Sequence, residues 1–224
     1  MIATIEFAGL ELRLHASGAL FIPQYQALLL ADMHLEKASH FAMRGQALPP
    51  YDTRATLSLL EACIQEFKPE RVMTLGDSFH DKHAELRLHE DDAAHLQSLT
   101  KQAHFFWITG NHDEILPQNL RGDIINHMAL GPLELTHIPT PANGKAQIAG
   151  HLHPIAKVQQ KARIIRARCF AFSKDRLILP AFGVFTGGLN VRDRAFGQIF
   201  PDQFHVQMIG QKALYGFRAD QLKP

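Results

Sequence analysis

The sequence predicts an α/β fold in which parallel strands carry polar residues on their C-terminal ends to a common site. Three observations predict it. Short apolar runs alternate with stretches of helical spacing through the first half of the chain. Each run stops abruptly at residues that make poor strand but useful chemistry. The second half is β-rich, with turn residues between its runs.

Residues 2–7, 10–15 and 18–22 alternate apolar and polar side chains around turns at Gly9 and Ser17-Gly18, and read as a meander of strands. Gln26 to Ala31 is continuously apolar, as in a strand covered on both faces, and stops at Asp32-Met33-His34. The chain from Leu35 to Pro50 is polar and mixed. Asp52 then caps an expected helix whose apolar face is Leu57, Leu60, Ile64 and Phe67, ended by Lys68-Pro69. Arg71 to Leu75 is the next strand, with Gly76-Asp77-Ser78-Phe79-His80-Asp81 at its tip. A charged helix over 90–101 buries Ala93, Leu96 and Leu99. The strand from His104 to Ile108 then ends in Gly110-Asn111-His112-Asp113.

This order implies parallel pairing with right-handed crossovers. Leu130 to Thr136 and Lys145 to Ala149 are expected as strands ending at His137 and at Gly150-His151-Leu152-His153. Strands are also expected over 162–172, 176–179, 195–200 and 204–209. No composition break, repeat or low-complexity segment divides the chain, so residues 1–224 read as one domain.

Bulk composition narrows the function less than position does. The net charge is +1, so whole-molecule charge points to neither a nucleic-acid nor a membrane partner. Cys63 and Cys169 lack metal-ligand spacing and read as free thiols of a reducing compartment. Residues 1–6 do not resemble a secretory signal, and the run from Ala27 to Ala31 is too short for a bilayer. A cytoplasmic location with no membrane partner is therefore expected. The unusual number is fourteen histidines.

Several of these fall on the strand tips, which read Asp32-x-His34, Asp77, Asn111-His112-Asp113, His137 and His151-x-His153. In extended chain, alternate residues such as 32 and 34 point to one side. Carboxylate, imidazole and amide together suit Mn, Fe, Zn or similar divalent ions, and the absence of Cys from the set argues against a structural zinc. Seven ligands are too many for one ion but suffice for two if one carboxylate bridges. Within the third tip, Asn offers a neutral oxygen, His a proton at neutral pH, and Asp a means of orienting that His.

The order of these motifs resembles the calcineurin-like metallophosphoesterase superfamily from about Leu28 to His153. Ala31-Asp32-Met33-His34-Leu35-Glu36-Lys37, Gly76 to His80, Gly150 to Pro154 and Leu179 to Gly188 resemble one branch in particular, the ligase-associated DNA damage response endonucleases. The resemblance implies a four-layer αββα sandwich. It also implies one metal held by Asp32, His34, Asp77 and His153, and a second by Asp77, Asn111, His137 and His151, with Asp77 bridging. His112, outside that ligand set, would protonate the leaving oxygen, with Asp113 holding its ring. Manganese is the expected metal, with Fe or Zn as alternatives.

The implied function is hydrolysis of phosphodiesters, as a DNA endonuclease in repair associated with a DNA ligase and a helicase. A small-nucleotide or phosphomonoester hydrolase is the alternative, and a non-catalytic metal-binding scaffold a third reading. Lys37, His40 and Arg44, in the loop after the first tip, and His80 are candidate substrate contacts. Glu36 departs from the branch pattern, which has glycine there; its carboxylate would face solvent or lie near the metals and disfavour an anion. The basic stretch 157–176 would guide a nucleic-acid backbone or form a solvated edge. Phe105, Phe106, Phe182 and Phe185 read as core.

Overall fold

In the computed structural model, which describes residues 1–46, 48–117, 119–141 and 143–224, two sheets are stacked between two layers of helix. The first half contains β1 (Ile2–Phe7), β2 (Leu10–His15), β3 (Leu20–Ile22), β4 (Ala27–Leu30), α1 (Lys37–Ala42), α2 (Asp52–Phe67), β5 (Arg71–Leu75), α3 (Glu90–Leu99), β6 (His104–Ile108) and β7 (Asp123–Ile125). Its strands form one sheet in chain order. The meander β1 to β4 is antiparallel and β4 to β7 is parallel, as the alternation with α2 and α3 requires.

The second half contains β8 (His127–Leu130), β9 (Leu133–Thr136), β10 (Ala146–Ala149), β11 (Pro154–Gln160), β12 (Arg163–Phe172), β13 (Arg176–Ile178), β14 (Leu189–Asn190), α4 (Arg194–Ile199), β15 (His205–Ile209) and β16 (Leu214–Arg218). These strands form a second sheet in the order β14-β11-β12-β13-β10-β9-β8, with β15 and β16 added beside β12.

Strand periodicity sorts the apolar side chains into three cores. On β4, Leu29 faces the second sheet and packs in one cluster with Leu12, Leu75, Leu135, Ile148 and Phe170. Its neighbours Leu28 and Leu30 face the other way, with Leu57, Leu60 and Ile64 of α2 and Leu96 and Leu99 of α3. The outer face of the second sheet, through Ala156, Ala171, Ile178 and Val206, meets Phe196 and Ile199 of α4 together with Phe200 and Phe204. Helix, sheet, sheet and helix follow one another, which is the expected αββα stack. Leu29 is fully buried between the sheets, so truncating it to Ala should cost about 2–5 kcal/mol.

Several local expectations are corrected. Leu130 to Thr136 is a hairpin rather than one strand, because the Gly131-Pro132 turn, with Gly131 at φ +57°, reverses the chain between β8 and β9. Residues 194–199 form a helix, capped by the Asp193 carboxylate on the Ala195 amide, with Phe196 and Ile199 on its buried face. Asp52 is the first helical residue of α2 and makes no cap; its Oδ2 accepts from the Ala38 amide at 2.8 Å and so ties down α1. Strands β7, β11, β14 and β16 lie outside the expected set.

The basic stretch does not act as one unit. Arg176 is buried and donates to the carbonyls of Thr140, Pro141, Lys145 and Asp175, and Arg168 donates to Ala181 and Ser17. Lys161, Arg163, Arg166 and Lys174 remain exposed. Phe105 and Phe182 are core residues; Phe106 and Phe185 are partly buried. Cys63 and Cys169 are free and buried, and no helix among the described residues is long and apolar enough to cross a membrane.

Candidate metal centre

The site lies across the ends of both sheets. Asp32 and His34 follow β4, Asp77 follows β5 and Asn111 follows β6, while His137 follows β9 and His151 and His153 follow β10. Because β4, β5 and β6 run parallel, as do β9 and β10, the tips of each sheet emerge at one level. Backbone bonds stitch the tips together: the Asp32 amide donates to Gly76, the His34 amide to Asp77, and the Gly150 amide to His137.

The ligand-bearing segments are not extended, as alternate-residue reasoning had assumed. Asp32, His34, Asp77, His151 and His153 all have positive φ, between +44° and +71°. Asp and His tolerate this region better than most side chains, and such conformations gather at functional sites. Glu36 shares it at φ +66°, which accounts for glycine suiting that place. Its carboxylate neither faces solvent nor crowds the site. It is buried and accepts from Thr53 Oγ1 at 2.8 Å and Ser39 Oγ at 2.6 Å.

Among the described residues three sets of side chains bring possible donor atoms together; one, His34 with His80 and His112, is all imidazole, and the other two contain expected ligands. Asp32, His34 and His153 make one, and Asp77, His137 and His151 the other, each with its donor atoms within 4.8 Å of one another. Asp77 faces both, since its Oδ2 lies 3.8 Å from His34 Nε2 and its Oδ1 3.5 Å from His137 Nε2. Asn111 Oδ1 lies 3.0 Å from His137 Nε2, within the second group.

These residues fit a pair of cations. Asp32 and Asp77 are 0% and 2% exposed, and among the described residues only histidines pair with them. Two buried carboxylates so close need positive charge. The imidazoles are aimed inward by their outer nitrogens: His137 Nδ1 lies 2.9 Å from the Leu75 carbonyl, and His153 Nδ1 3.2 Å from that of Gly187. That bond places the proton outside and leaves a lone pair facing the centre. Burial, followed by the nearby imidazoles of His153, His112 and His80, holds His34 far below the usual histidine range, and burial and His137 lower His151. Both stay neutral and free to ligate. Burial opposes protonation of His153 too, but its hydrogen bond with Asp32, the Asp32 charge, the Gly187 carbonyl and the Asp77 charge together outweigh it and raise its pKa.

His112 belongs to neither group of the expected ligand set. Its Nδ1 lies 2.9 Å from the His80 carbonyl and its ring stacks on His80 at 5.3 Å, leaving Nε2 available. Asp113 does not orient it, which corrects the sequence expectation. The Asp113 carboxylate is 1% exposed and accepts instead from the amides of Gly110 (2.8 Å), Asp77 (3.1 Å) and Phe79 (3.0 Å). It clamps the β5 tip to the β6 tip. Burial pushes its pKa upward, against the lowering effect of those amides.

Among the candidate substrate contacts, His80 is buried, with Nδ1 3.4 Å from His34 Nδ1, so it braces a ligand more than it faces solvent. Burial, then the charges of His40 and His112, bring it down to about 4. Lys37, half-buried, lies over the Phe41 ring; Arg44 is exposed. Sequence reasoning missed the carbonyls of Leu75, His80 and Gly187, because a backbone acceptor has no sequence signature. It also missed Arg87, which joins Asp81 and Ser39, although an Arg six residues after Asp81 in a polar turn was visible.

The family model for calcineurin-like phosphoesterases matches residues 25–144. Among solved structures, the Pseudomonas putida nuclease MPE is similar, at 29% identity and a TM-score of 0.75, over 97% of this chain and 100% of that one. Yfce, a phosphoesterase from E. coli, aligns at 14% identity and a TM-score of 0.42, over 87% of this chain and 98% of that one. No protein with a curated description matches significantly.

Proposed function

The chain belongs to the calcineurin-like phosphoesterase family and is a metal-dependent hydrolase of phosphoester bonds, and we propose that it cuts phosphodiesters of nucleic acid with two divalent ions held across the strand tips. One observation carries the dinuclear reading: Asp77 turns one carboxylate oxygen to each of two separate ligand groups. The similarity to a nuclease over nearly the whole of both chains supports nucleic acid as substrate. The mixed oxygen and nitrogen donors favour manganese, with iron or zinc as alternatives.

Asp32, His34, Asp77 and His153 would hold one ion, and Asp77, Asn111, His137 and His151 the other. When bound, such a pair supplies a nucleophile from water near neutral pH and neutralises charge on the phosphoryl oxygens. The chain's own residues do the rest. The two carboxylates, the four imidazoles and the Asn111 amide would hold the ions. The Asp113 clamp keeps Asp77 in register with Asn111. The His80 carbonyl holds the His112 proton on Nδ1, so that Nε2, when protonated, can donate to the leaving oxygen. Residues 1–224 act as one domain in this scheme. By resemblance, its expected partners are a DNA ligase and a helicase, in the cytoplasm.

A substrate panel in manganese tests the reading: a chromogenic phosphodiester, a phosphomonoester, cyclic nucleotides, and single- and double-stranded DNA. Diesters and DNA are expected to be cleaved, and Asp77→Ala to abolish every activity. Turnover confined to the monoester would establish the alternative, and firm metal binding with no hydrolysis the scaffold.

A further inference from the structure

A cleft of about 560 Å³ opens beside the ligand groups, on the His112 side. One wall comes from α1 and the turn after it, through His40, Phe41 and Arg44. The other comes from the turns after β5 and β6, through Lys82, His112 and Ile115. The position of α1 is fixed by charge. Asp81 pairs with Arg87 and, at 2.8 Å, with His40, while Arg87 Nε donates to Ser39 Oγ at 2.9 Å. The Asp81 charge is thereby neutralised. Of the other charged residues lining the cleft, Arg44 and Lys82 are exposed cations with no ion pair among the described residues, set against the single exposed acid Glu114. Ile115, 75% exposed, adds an apolar side chain to the wall opposite Phe41.

In-line displacement puts the attacking and leaving oxygens on opposite sides of phosphorus, and the leaving oxygen must meet the proton donor. His112 lines this cleft with its Nδ1 committed to the His80 carbonyl, so Nε2 is the nitrogen left to meet a leaving oxygen there. The volume of the cleft is in the range of small-ligand sites. The Phe41 ring, which carries the Lys37 ammonium over one face, offers an aromatic surface to a base, and the exposed cations Arg44 and Lys82 suit a phosphate.

We infer that this cleft is the leaving-group subsite and that it takes a nucleoside together with the phosphate beyond it, which makes a nucleic-acid strand the preferred diester. The inference rests on the phosphodiesterase reading above, and the test separates the two. With manganese present, kcat/KM is measured on bis(p-nitrophenyl) phosphate, on a dinucleoside monophosphate and on a labelled single-stranded oligonucleotide. The proteins are the wild type, Phe41→Ala, the double variant Arg44→Ala/Lys82→Ala, and Lys101→Ala as a control that removes one cation remote from the cleft. Lys101 precedes β6, at the opposite end of the parallel strands from the site.

In the double variant the oligonucleotide-to-dinucleoside ratio of kcat/KM should fall by about tenfold or more, through KM, and the salt slope on the oligonucleotide by roughly 0.7 per cation removed. Phe41→Ala should lower the ratio of dinucleoside monophosphate to chromogenic diester, and Lys101→Ala should change no ratio. Melting temperatures close to wild type would show that the variants are folded. Unchanged ratios in folded variants that still cleave the chromogenic diester would overturn the subsite alone. Failure of the wild type to cleave any diester would overturn both readings.

Discussion

Gly110 is where a single methyl group should do most damage. A Cβ there would lie 2.1 Å from Asp77 Oδ1 and 2.3 Å from the Asp77 backbone nitrogen, where ordinary contact begins at 3.4 Å. The side chain cannot simply swing away, because the amide of Asp77 is blocked as well. Both segments also share the Asp113 carboxylate, so neither moves alone. Gly110→Ala must therefore part the β5 and β6 tips by about 1 Å, and misplacement on that scale costs about a hundredfold in rate. That corresponds to roughly 2.7 kcal/mol of transition-state stabilisation. The assay is kcat on a chromogenic diester across a manganese titration, with calorimetric metal affinity alongside. We expect a hundredfold loss of kcat and weaker binding of at least one ion, with far-ultraviolet circular dichroism unchanged. A variant within about threefold of wild type in both kcat and metal affinity would refute the close approach as a functional constraint.

Other expectations follow from the same geometry. His112→Ala should keep its metals and melting temperature but lose about 10²–10⁴ in kcat, as measured by steady-state rates and metal analysis. Asp113→Ala should instead unfold at lower temperature and bind metal poorly. It strands three buried amides, each worth about 1–3 kcal/mol; a stable variant that differs only in kcat would restore the orienting role. Asp81→Asn should loosen α1 by about 1–2 kcal/mol at neutral pH. Burial raises the Asp81 pKa, but bonds from Arg87, the His83 amide and His40 more than reverse it, so the group titrates below its usual range. The wild-type advantage should accordingly hold from neutral pH down to about 4, the unfolded pKa of Asp, and fade only below it, as pH-dependent denaturation would reveal. Chelation should lower the melting temperature, and manganese at about 100 Kd should restore roughly 2.7 kcal/mol of stability.

Much of this was legible from the residues alone. The strand tips could be read because a buried parallel strand is a continuous apolar run, and Asp32, Asp77 and Asn111 each break one. Most of the strands and helices α2 and α3 follow from the same periodicity, whereas their stacking as two sheets was implied by the family resemblance. What escaped depends on tertiary partners. The segment Arg194-Ala-Phe-Gly-Gln-Ile199 is too short for its period to be told from a strand, and only the Asp193 cap distinguishes it. The Asp113 role was misread because adjacency to His112 suggested a pair, whereas the nearest unsatisfied donors were amides on another strand tip. Glu36 looked anomalous until the hydroxyls of Ser39 and Thr53, three and seventeen residues away, were seen to hold it.

The left-handed backbone at Asp32, His34, Asp77, His151 and His153 limits how such a centre can evolve. The non-glycine side chains that adopt this conformation most readily are Asn, Asp and His, and the same three supply hard and borderline metal donors. Two unrelated demands thus select one short alphabet. Exchanges within that alphabet retune charge and metal preference at little conformational cost. A β-branched residue, or a cysteine that would attract softer metals, must also overcome the backbone. The range of metals open to this scaffold by single substitutions is therefore set as much by dihedral angles as by ligand chemistry.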